Sequence, residues 1–149
     1  MLAGGGTGGH VYPALSVAEA LRRLEPAAQF LYIGTARGAE QRLVPAAGLP
    51  FRAIKAGQIR GKSPFNVTRS ASRLSIGVLE SRRILTAFRP HAVFATGGYA
   101  SVPVALAARL SGLPLIVFLP DIYPGWAVRL SAGLASRVAT TTEAAQRYL

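Results

Sequence analysis

Short apolar runs alternate with helix-forming stretches along nearly the whole of this 149-residue chain, and no other feature limits its fold so strongly. Runs of Val, Ile, Leu and Phe are typical of strands buried on both faces of a parallel sheet. They lie at about residues 29–33, 51–55, 91–96, 114–119 and 137–141. The helical stretches lie at about 11–24, 37–47, 65–88, 99–111 and 125–135. The alternation predicts an α/β fold with a doubly wound, Rossmann-like parallel sheet.

Both ends of the chain are typical of a piece of a longer protein. Only three residues precede the first glycine-rich loop, whereas a strand usually has about five. At the other end, Thr142 and Glu143 are typical of the start of a helix, yet the chain stops at Leu149. We therefore expect one domain over residues 1–149 and a further, C-terminal domain that this chain lacks.

The chain is strongly basic, with 17 Lys and Arg residues against 6 Asp and Glu residues and a formal net charge of +11. This balance predicts an anionic partner, such as a phosphorylated ligand, an acidic membrane surface or nucleic acid. No basic stretch is interleaved with aromatic residues as in known nucleic-acid motifs, so we expect no nucleic acid partner. The sequence has no cysteine, which excludes disulfides and thiolate metal sites, and two histidines are too few for a convincing metal cluster. We therefore expect neither a metal ion nor another cofactor.

A glycine-rich loop, Gly4–His10, follows the first apolar residues and opens a helix. Glycine lets a backbone turn tightly and approach a ligand closely. The start of the following helix offers unpaired N–H groups and the positive end of a dipole, which favour a phosphate group. Gly4, Gly6 and Gly9 also match the GxGxxG pattern of dinucleotide-binding proteins. The alternative is a tight strand-to-helix turn that binds nothing.

A dinucleotide-binding site also requires an acidic residue after the second strand, where it binds the ribose. Here the strand is followed by Gly34-Thr35-Ala36-Arg37, which contains no acid. Arg37 remains a candidate ligand for a 2′-phosphate, so an NADP-dependent Rossmann-fold enzyme stays as an alternative function.

A second glycine loop, Gly97-Gly98-Tyr99, follows the predicted strand at about 91–96. This is the fourth strand of the sheet when the residues before the first glycine loop are counted as the first. In a doubly wound sheet the first and fourth strands are neighbours at the topological switch point, where ligands bind. Two glycine loops at this point predict a site for two phosphates or one pyrophosphate. The alternative is an ordinary turn before a helix, with Tyr99 covering the edge of the sheet.

His10 and Asp121 are the candidate catalytic and sugar-binding side chains near this site. His10 stands at the start of a helix beside the predicted anion site, where a histidine is able to act as a general base or to donate a hydrogen bond. Asp121 follows the fifth strand, at the carboxyl edge of the sheet, and is a candidate base or ligand of a sugar hydroxyl. Structural roles are the alternatives: a capping or packing histidine, and a turn-forming Pro-Asp pair.

The helix at about 65–88 has an apolar core face and a second face that mixes apolar residues with arginines. Such a mixture is typical of a helix that lies at a membrane interface. The residues of this predicted membrane patch are Phe65, Arg69, Arg73, Ile76, Leu79 and Arg83. In the alternative interpretation, Ile76 and Leu79 pack under a neighbouring loop, or the arginines form an ordinary solvated face. A non-catalytic membrane-binding module is therefore a further alternative function.

Several segments together resemble one known family. The first glycine loop with Tyr12-Pro13-Ala14-Leu15, then Arg60-Gly61-Lys62, then the stretch Thr96–Pro103 are similar to the N-terminal domain of the MurG family. Leu43-Val44-Pro45 also fits. The members of this family are bacterial undecaprenyldiphospho-muramoylpentapeptide β-N-acetylglucosaminyltransferases. The resemblance covers essentially the whole chain, and the two glycine loops at this separation are far more specific together than either is alone.

The resemblance implies a GT-B glycosyltransferase with two facing Rossmann-like domains. This chain would be the N-terminal, acceptor-binding domain, inactive without the absent C-terminal domain that binds most of the UDP. The implied reaction transfers N-acetylglucosamine from UDP-N-acetylglucosamine to lipid I, gives lipid II, inverts the configuration of the sugar and needs no metal. It implies a role in peptidoglycan biosynthesis, and so in cell-wall biogenesis, cell shape, the cell cycle and cell division. It also implies a peripheral position on the cytoplasmic face of the bacterial cell membrane.

The resemblance also implies roles for individual residues. His10 matches the family's important histidine, and Thr7, Gly8, Gly9 and Asp121 would contact the donor. The residues implied to face the acceptor diphosphate are Gly5, Gly6, Gly97, Gly98 and Tyr99. The chain departs from the family after the fifth strand, where many members have His-Glu-Gln-Asn and this chain has Phe118-Leu119-Pro120-Asp121. Roles of the missing His, Glu and Gln cannot apply here, and Asp121 could serve only as a hydrogen-bond acceptor.

Overall fold

The computed structural model describes residues 1–56, 64–120 and 123–147, apart from the side chains of residues 64–71 and 146. The strands are β1 (Leu2–Ala3), β2 (Tyr32–Gly34), β3 (Phe51–Ala53), β4 (Val93–Ala95), β5 (Leu115–Leu119) and β6 (Arg137–Thr140). The helices are α1 (Gly8–Leu24), α2 (Glu40–Ala46), α3 (Pro64–Phe88), α4 (Ser101–Leu110), α5 (Trp126–Leu134) and α6 (Glu143–Gln146). Each predicted strand and helix is present, so the predicted alternation is confirmed.

The six strands form one parallel sheet in the order β3-β2-β1-β4-β5-β6. The chain first adds strands on one side of β1 and then crosses over to add β4, β5 and β6 on the other side. The switch point therefore lies between β1 and β4, where Ala3 pairs with Ala95. This confirms the predicted doubly wound sheet and brings the loops after β1 and β4 side by side.

The helices cover both faces of the sheet, which explains why the central strands are apolar throughout. One core cluster joins Leu85 of α3, Val104 of α4 and Val128 of α5 to the strands. A second cluster joins Val11 of α1 and Val44 of α2 to them. Because the central strands β1, β2 and β4 are packed on both sides, their side chains do not alternate between apolar and polar residues.

The largest differences from the predicted boundaries occur next to glycines. α1 begins at Gly8, earlier than predicted, because glycines of the first loop already form its first turn. α2 begins at Glu40, later than predicted. The chain turns before it at Gly38, where a Cβ atom would fall 2.0 Å from a carboxylate oxygen of Glu40. Close packing around Glu40 therefore sets the start of this helix.

Two further observations concern the last helix and the membrane. α6 follows Thr142, as predicted, although the Thr142 side chain makes no capping hydrogen bond. Across the described ranges, no helix combines the length and the apolar character needed to cross a bilayer.

Candidate functional site

The two glycine loops touch each other at the switch point of the sheet. The N–H of Gly5 donates to the carbonyl oxygen of Gly97 over 3.2 Å. Gly98 has a φ of +79°, and a Cβ atom there would lie 1.9 Å from the carbonyl oxygen of Gly5. Only glycine allows both this backbone conformation and this approach. The predicted meeting of the two loops is therefore confirmed, and it depends on the absence of a side chain at Gly98.

His10 lies in the first turn of α1 with its ring against the second loop. Its Nδ1 atom is 2.9 Å from the carbonyl oxygen of Thr96. A Cβ atom on Gly97 would lie 3.0 Å from two atoms of the ring. Because a carbonyl oxygen only accepts hydrogen bonds, Nδ1 must carry the proton, and Nε2 of the neutral ring is then a proton acceptor. The fold thus holds the tautomer that a general base requires.

Thr96 fixes this arrangement from below. Its side chain is fully buried at the end of β4, and its hydroxyl donates to the carbonyl oxygen of His10. The backbone of Thr96 thus orients the ring of His10 while its side chain orients the backbone of His10. The two loops are joined through this residue as well as through Gly5.

A buried carboxylate, that of Glu40, lies beneath the first glycine loop. It accepts hydrogen bonds from the N–H of Gly6 at 2.9 Å and from the N–H and hydroxyl of Thr35 at 2.8 and 2.7 Å. Cβ atoms on Gly5 and Gly34 would lie 2.1 and 2.4 Å from its side chain. Glu40 is a functional residue that was not predicted from the sequence. The signal available was an acid placed at a helix start and preceded by Gly34 and Gly38.

The position of Glu40 also bears on the ribose-binding acid. No acid follows β2 directly in the sequence, yet the fold brings the Glu40 carboxylate to Thr35, immediately after that strand. This carboxylate is fully buried and already accepts three hydrogen bonds. It is therefore unavailable to a ribose hydroxyl, so the one acid that the described structure brings to the end of β2 does not serve as a ribose-binding acid.

A tyrosine hydroxyl completes the floor of the first loop. The buried hydroxyl of Tyr32 lies beside the Thr96 side chain, under Gly4. Burial, and then the nearby Glu40 carboxylate, raise the pKa of Tyr32 well above its usual value, so the side chain stays neutral. A Cβ atom on Gly4 would lie 2.3 Å from the Thr96 hydroxyl and 3.0 Å from this one, so another residue type there would require these side chains to move.

The N–H groups of the first loop divide into two sets. Those of Gly5 and Gly6 donate to Gly97 and Glu40. Within the described part of the chain, the N–H groups of Thr7, Gly8 and Gly9 have no partner, and the Thr7 side chain does not cap the helix. The free N–H donors at the positive end of α1 are therefore those of residues 7–9. The N–H groups of Gly5 and Gly6 are already used within the protein, so these two glycines are not able to donate them to a diphosphate.

The second loop is held mainly by its own helix. The Ser101 hydroxyl accepts a hydrogen bond from the N–H of Gly97 at 3.2 Å and donates to its carbonyl oxygen at 2.7 Å. Tyr99 is half-buried, and its ring lies 6.2 Å from that of Trp126. Tyr99 thus packs against α5 and lines the same cavity as Gly6 of the first loop.

A basic cleft of about 570 Å³ opens beside the first loop. Gly6 and Tyr99 form one side of it, and the cations of Arg37, Lys55 and Arg73 lie along the rest. These three residues come from the end of β2, the end of β3 and α3. From the sequence, Arg37 is a candidate ligand of a 2′-phosphate and Arg73 a member of the predicted membrane patch, and their meeting with Lys55 in one cleft was not predicted.

The predicted membrane patch is only partly within the described residues. The side chains of Phe65 and Arg69 lie outside them, as do Asp121 and the segment containing Arg60 and Lys62. Ile76 and Leu79 are 39% and 57% exposed, so neither packs under a loop of the described structure. The remaining members of the patch, Arg73 and Arg83, are exposed as well.

A doubly wound parallel sheet with two glycine loops meeting at its switch point defines a Rossmann-like domain of the kind found in GT-B glycosyltransferases. Within that class, this chain belongs to glycosyltransferase family 28, whose N-terminal domain matches residues 1–140. The membership confirms the resemblance seen in the glycine loops.

Curated relatives of the chain share one name: UDP-N-acetylglucosamine--N-acetylmuramyl-(pentapeptide) pyrophosphoryl-undecaprenol N-acetylglucosamine transferase. The protein from Pelobacter propionicus is 44% identical over 148 residues, which are 99% of this chain and 39% of that protein. The protein from Desulforudis audaxviator is 45% identical over 150 residues, which are 99% of this chain and 40% of that protein. The chain thus spans about 40% of the length of these relatives.

Solved structures show the same fold. The crystal structure of MurG from Acinetobacter baumannii superimposes with a TM-score of 0.75 and 28% identity, over 94% of this chain and 40% of that one. A UDP-GlcNAc 2-epimerase from Methanocaldococcus jannaschii, crystallised with UDP-GlcNAc and UDP, gives a TM-score of 0.71 over 99% of this chain and 41% of that one. Its identity is 14%, so this second likeness concerns the fold alone.

Proposed function

We propose that this chain is the acceptor-binding half of an inverting glycosyltransferase of peptidoglycan synthesis. The reaction transfers N-acetylglucosamine from UDP-N-acetylglucosamine to lipid I and forms lipid II. The observation that carries the proposal is His10, held in its Nδ1-protonated form between two glycine loops at the switch point. The names of relatives that are 44% and 45% identical supply the substrates.

In the proposed mechanism, His10 is the general base. Its Nε2 atom removes the proton from the acceptor hydroxyl, and the hydroxyl oxygen forms a bond to C1 of the N-acetylglucosamine. The bond from C1 to the UDP oxygen breaks at the same time, so a single displacement inverts the configuration and releases UDP. The Thr96 carbonyl then stabilises the imidazolium through its bond with Nδ1.

The free N–H groups of Thr7, Gly8 and Gly9 are the proposed binding groups for negative charge on the substrates. They lie one turn or less from His10 at the positive end of α1. The donor is shared with a C-terminal domain, which closes over the sugar nucleotide. The backbone of the second loop faces the diphosphate of the acceptor from the other side.

The test is a His10→Ala substitution in a protein that joins this chain to a family C-terminal domain. We expect kcat to fall by about 10²–10⁴-fold because the general base is lost. The melting temperature should change little, since the ring makes a single hydrogen bond. His91→Ala is the matched control, because His91 is the other histidine in the sequence. It is exposed and precedes β4, so it lies at the amino ends of the strands, away from the glycine loops. Near-normal kcat with a collapsed melting temperature would show a packing role for His10 instead.

We further propose that the protein binds the cytoplasmic face of the cell membrane through α3. Exposed Ile76 and Leu79 lie between exposed Arg73 and Arg83 along the helix, which suits an anionic lipid surface. This position gives the domain access to a lipid-linked acceptor. It would connect the protein to cell shape and cell division through peptidoglycan synthesis.

Vesicle co-sedimentation tests the membrane proposal. Binding to phosphatidylglycerol vesicles should weaken as salt rises, because it depends on arginines. The double substitution Ile76→Ser and Leu79→Ser should reduce binding further. Its matched control is Leu24→Ser with Leu110→Ser, which removes two leucines that are 82% and 65% exposed on other helices. Equal binding by the two double variants would refute a specific role for the patch.

A further inference from the structure

The basic cleft beside the first glycine loop is lined by three basic residues that have no role in the proposed transfer step. Arg37, Lys55 and Arg73 approach it from three separate elements, and all three are exposed. None of them forms an ion pair within the described ranges, where the one salt bridge joins Arg23 to Glu19 on α1. Like charges around one cleft repel each other, and a bound anion would relieve that repulsion.

The acids nearest to the cleft do not neutralise it. The carboxylate of Glu80 accepts a hydrogen bond from the backbone N–H of Lys55, not from its ammonium group. The carboxylate of Glu40 is fully buried behind Gly6, where its oxygens accept bonds from that glycine and from Thr35. The cations therefore remain available to a ligand in the cleft.

The size and lining of the cleft favour an extended ligand over a diphosphate alone. A volume of about 570 Å³ lies within the usual range for ligand pockets and has room for a molecule larger than a diphosphate, such as a short peptide. Two alanines, Ala36 and Ala56, also line the cleft and add apolar surface to it, whereas Ile54 at its base is almost fully buried. Arginine binds a carboxylate through a planar, two-pronged contact. These features suit a short peptide with small side chains and free carboxyl groups.

We propose that this basic cleft binds the carboxylates of the acceptor's pentapeptide, next to the glycine loops that face the diphosphate. This inference rests on the proposed function, because it takes the acceptor to be a peptide-bearing sugar. The cleft begins at Gly6 and Tyr99, so a single acceptor could reach both the loops and the cations. Arg37 and Lys55 would then select acceptors by the charge of their peptide.

The first test is calorimetric titration of the chain with N-acetylmuramoyl-pentapeptide, with the same compound carrying amidated carboxyl groups, and with inorganic pyrophosphate. We expect Arg37→Gln with Lys55→Gln to weaken binding of the free-carboxyl peptide by about 10- to 100-fold. The amidated peptide should bind the parent chain only weakly, and the double variant should bind it with the same affinity as the parent does. Pyrophosphate binding should not change.

Arg42→Gln with Arg129→Gln is the matched control, since it removes the same charge from exposed positions outside the cleft. The inference is overturned if this control weakens peptide binding equally. It is also overturned if the cleft variant loses pyrophosphate binding instead, which would place the diphosphate in the cleft, or if the free-carboxyl peptide does not bind the parent.

Turnover separates this inference from the proposed function. In the two-domain protein, the cleft variant should raise the KM for lipid I by a similar factor and leave the KM for UDP-N-acetylglucosamine unchanged. Transfer with an unchanged acceptor KM would overturn the cleft inference alone. Absence of any transfer by the parent protein would overturn the proposed function.

Discussion

The two glycine loops lie side by side but are held in different ways. The first loop rests on Glu40, a buried carboxylate from a helix more than thirty residues away along the chain. The second loop is held by Ser101, which belongs to the helix that the loop itself opens. A loop held by a distant side chain keeps the N–H groups of its helix start free for a ligand. A loop held locally serves here as the wall against which the first loop and His10 pack.

The contact between Gly98 and Gly5 should be the most sensitive point of this pair. Gly98→Ala places a methyl group against the Gly5 carbonyl and forces alanine into a φ of +79°. We expect the free energy of unfolding to fall by about 3–5 kcal/mol, from backbone strain and overpacking together. Urea denaturation measures it.

Gly112→Ala separates these two causes. Gly112 has a similar φ of +67°, but a Cβ atom there would meet nothing within 4 Å. This control should lose only about 1 kcal/mol, from the backbone conformation. If the two variants lose equal stability, the close approach of the loops contributes nothing.

The sheet order and the meeting of the two loops could be predicted from the sequence because both follow from local patterns. The apolar runs fix the strands, and the winding rules of parallel sheets then place β1 beside β4. Arg37 and Lys55 follow adjacent strands at one sheet edge, so their proximity was also accessible from topology. Adding Arg73 required the packing of α3, which no local pattern determines.

Glu40 was missed for a physical reason. A dinucleotide-binding pattern has its acid directly after β2, whereas the fold brings one there from the start of α2. Two of its three donors are the backbone N–H groups of Gly6 and Thr35, and a backbone donor leaves no mark in a sequence. The local traces are the Thr35 hydroxyl, which is the third donor, and the glycines that make room for the carboxylate, Gly34 and Gly38.

Removing the carboxylate under the first loop should have the next largest effect. Glu40→Ala removes a fully buried carboxylate and leaves the N–H groups of Gly6 and Thr35, whose bonds to it are partly buried, without their acceptor. We expect a loss of about 2–4 kcal/mol in the free energy of unfolding. Amide hydrogen exchange should also become faster in the first loop than in the second.

Glu19→Ala is the matched control for this change. Glu19 forms an exposed ion pair with Arg23, and its removal should cost no more than about 0.5 kcal/mol. If Glu40→Ala is as mild as Glu19→Ala, or loosens both loops equally, the first loop does not depend on a distant carboxylate.

Ser101→Ala should have the smallest effect and should act on the second loop. The substitution removes one acceptor and one donor, both used by Gly97, so we expect a loss of about 1–2 kcal/mol by thermal denaturation.

Ser131 is the matched control, because it is also a fully buried helical serine and its hydroxyl donates to the carbonyl oxygen four residues earlier, at 2.9 Å. Ser131 holds no glycine loop, so Ser131→Ala should cost less and leave hydrogen exchange at Gly97 and Gly98 unchanged. Because Ser101 is local to the second loop, exchange at Gly6 should remain slow in Ser101→Ala. Faster exchange at Gly6 would mean that the two loops open as one unit, and the contrast between a distant and a local support would then fail.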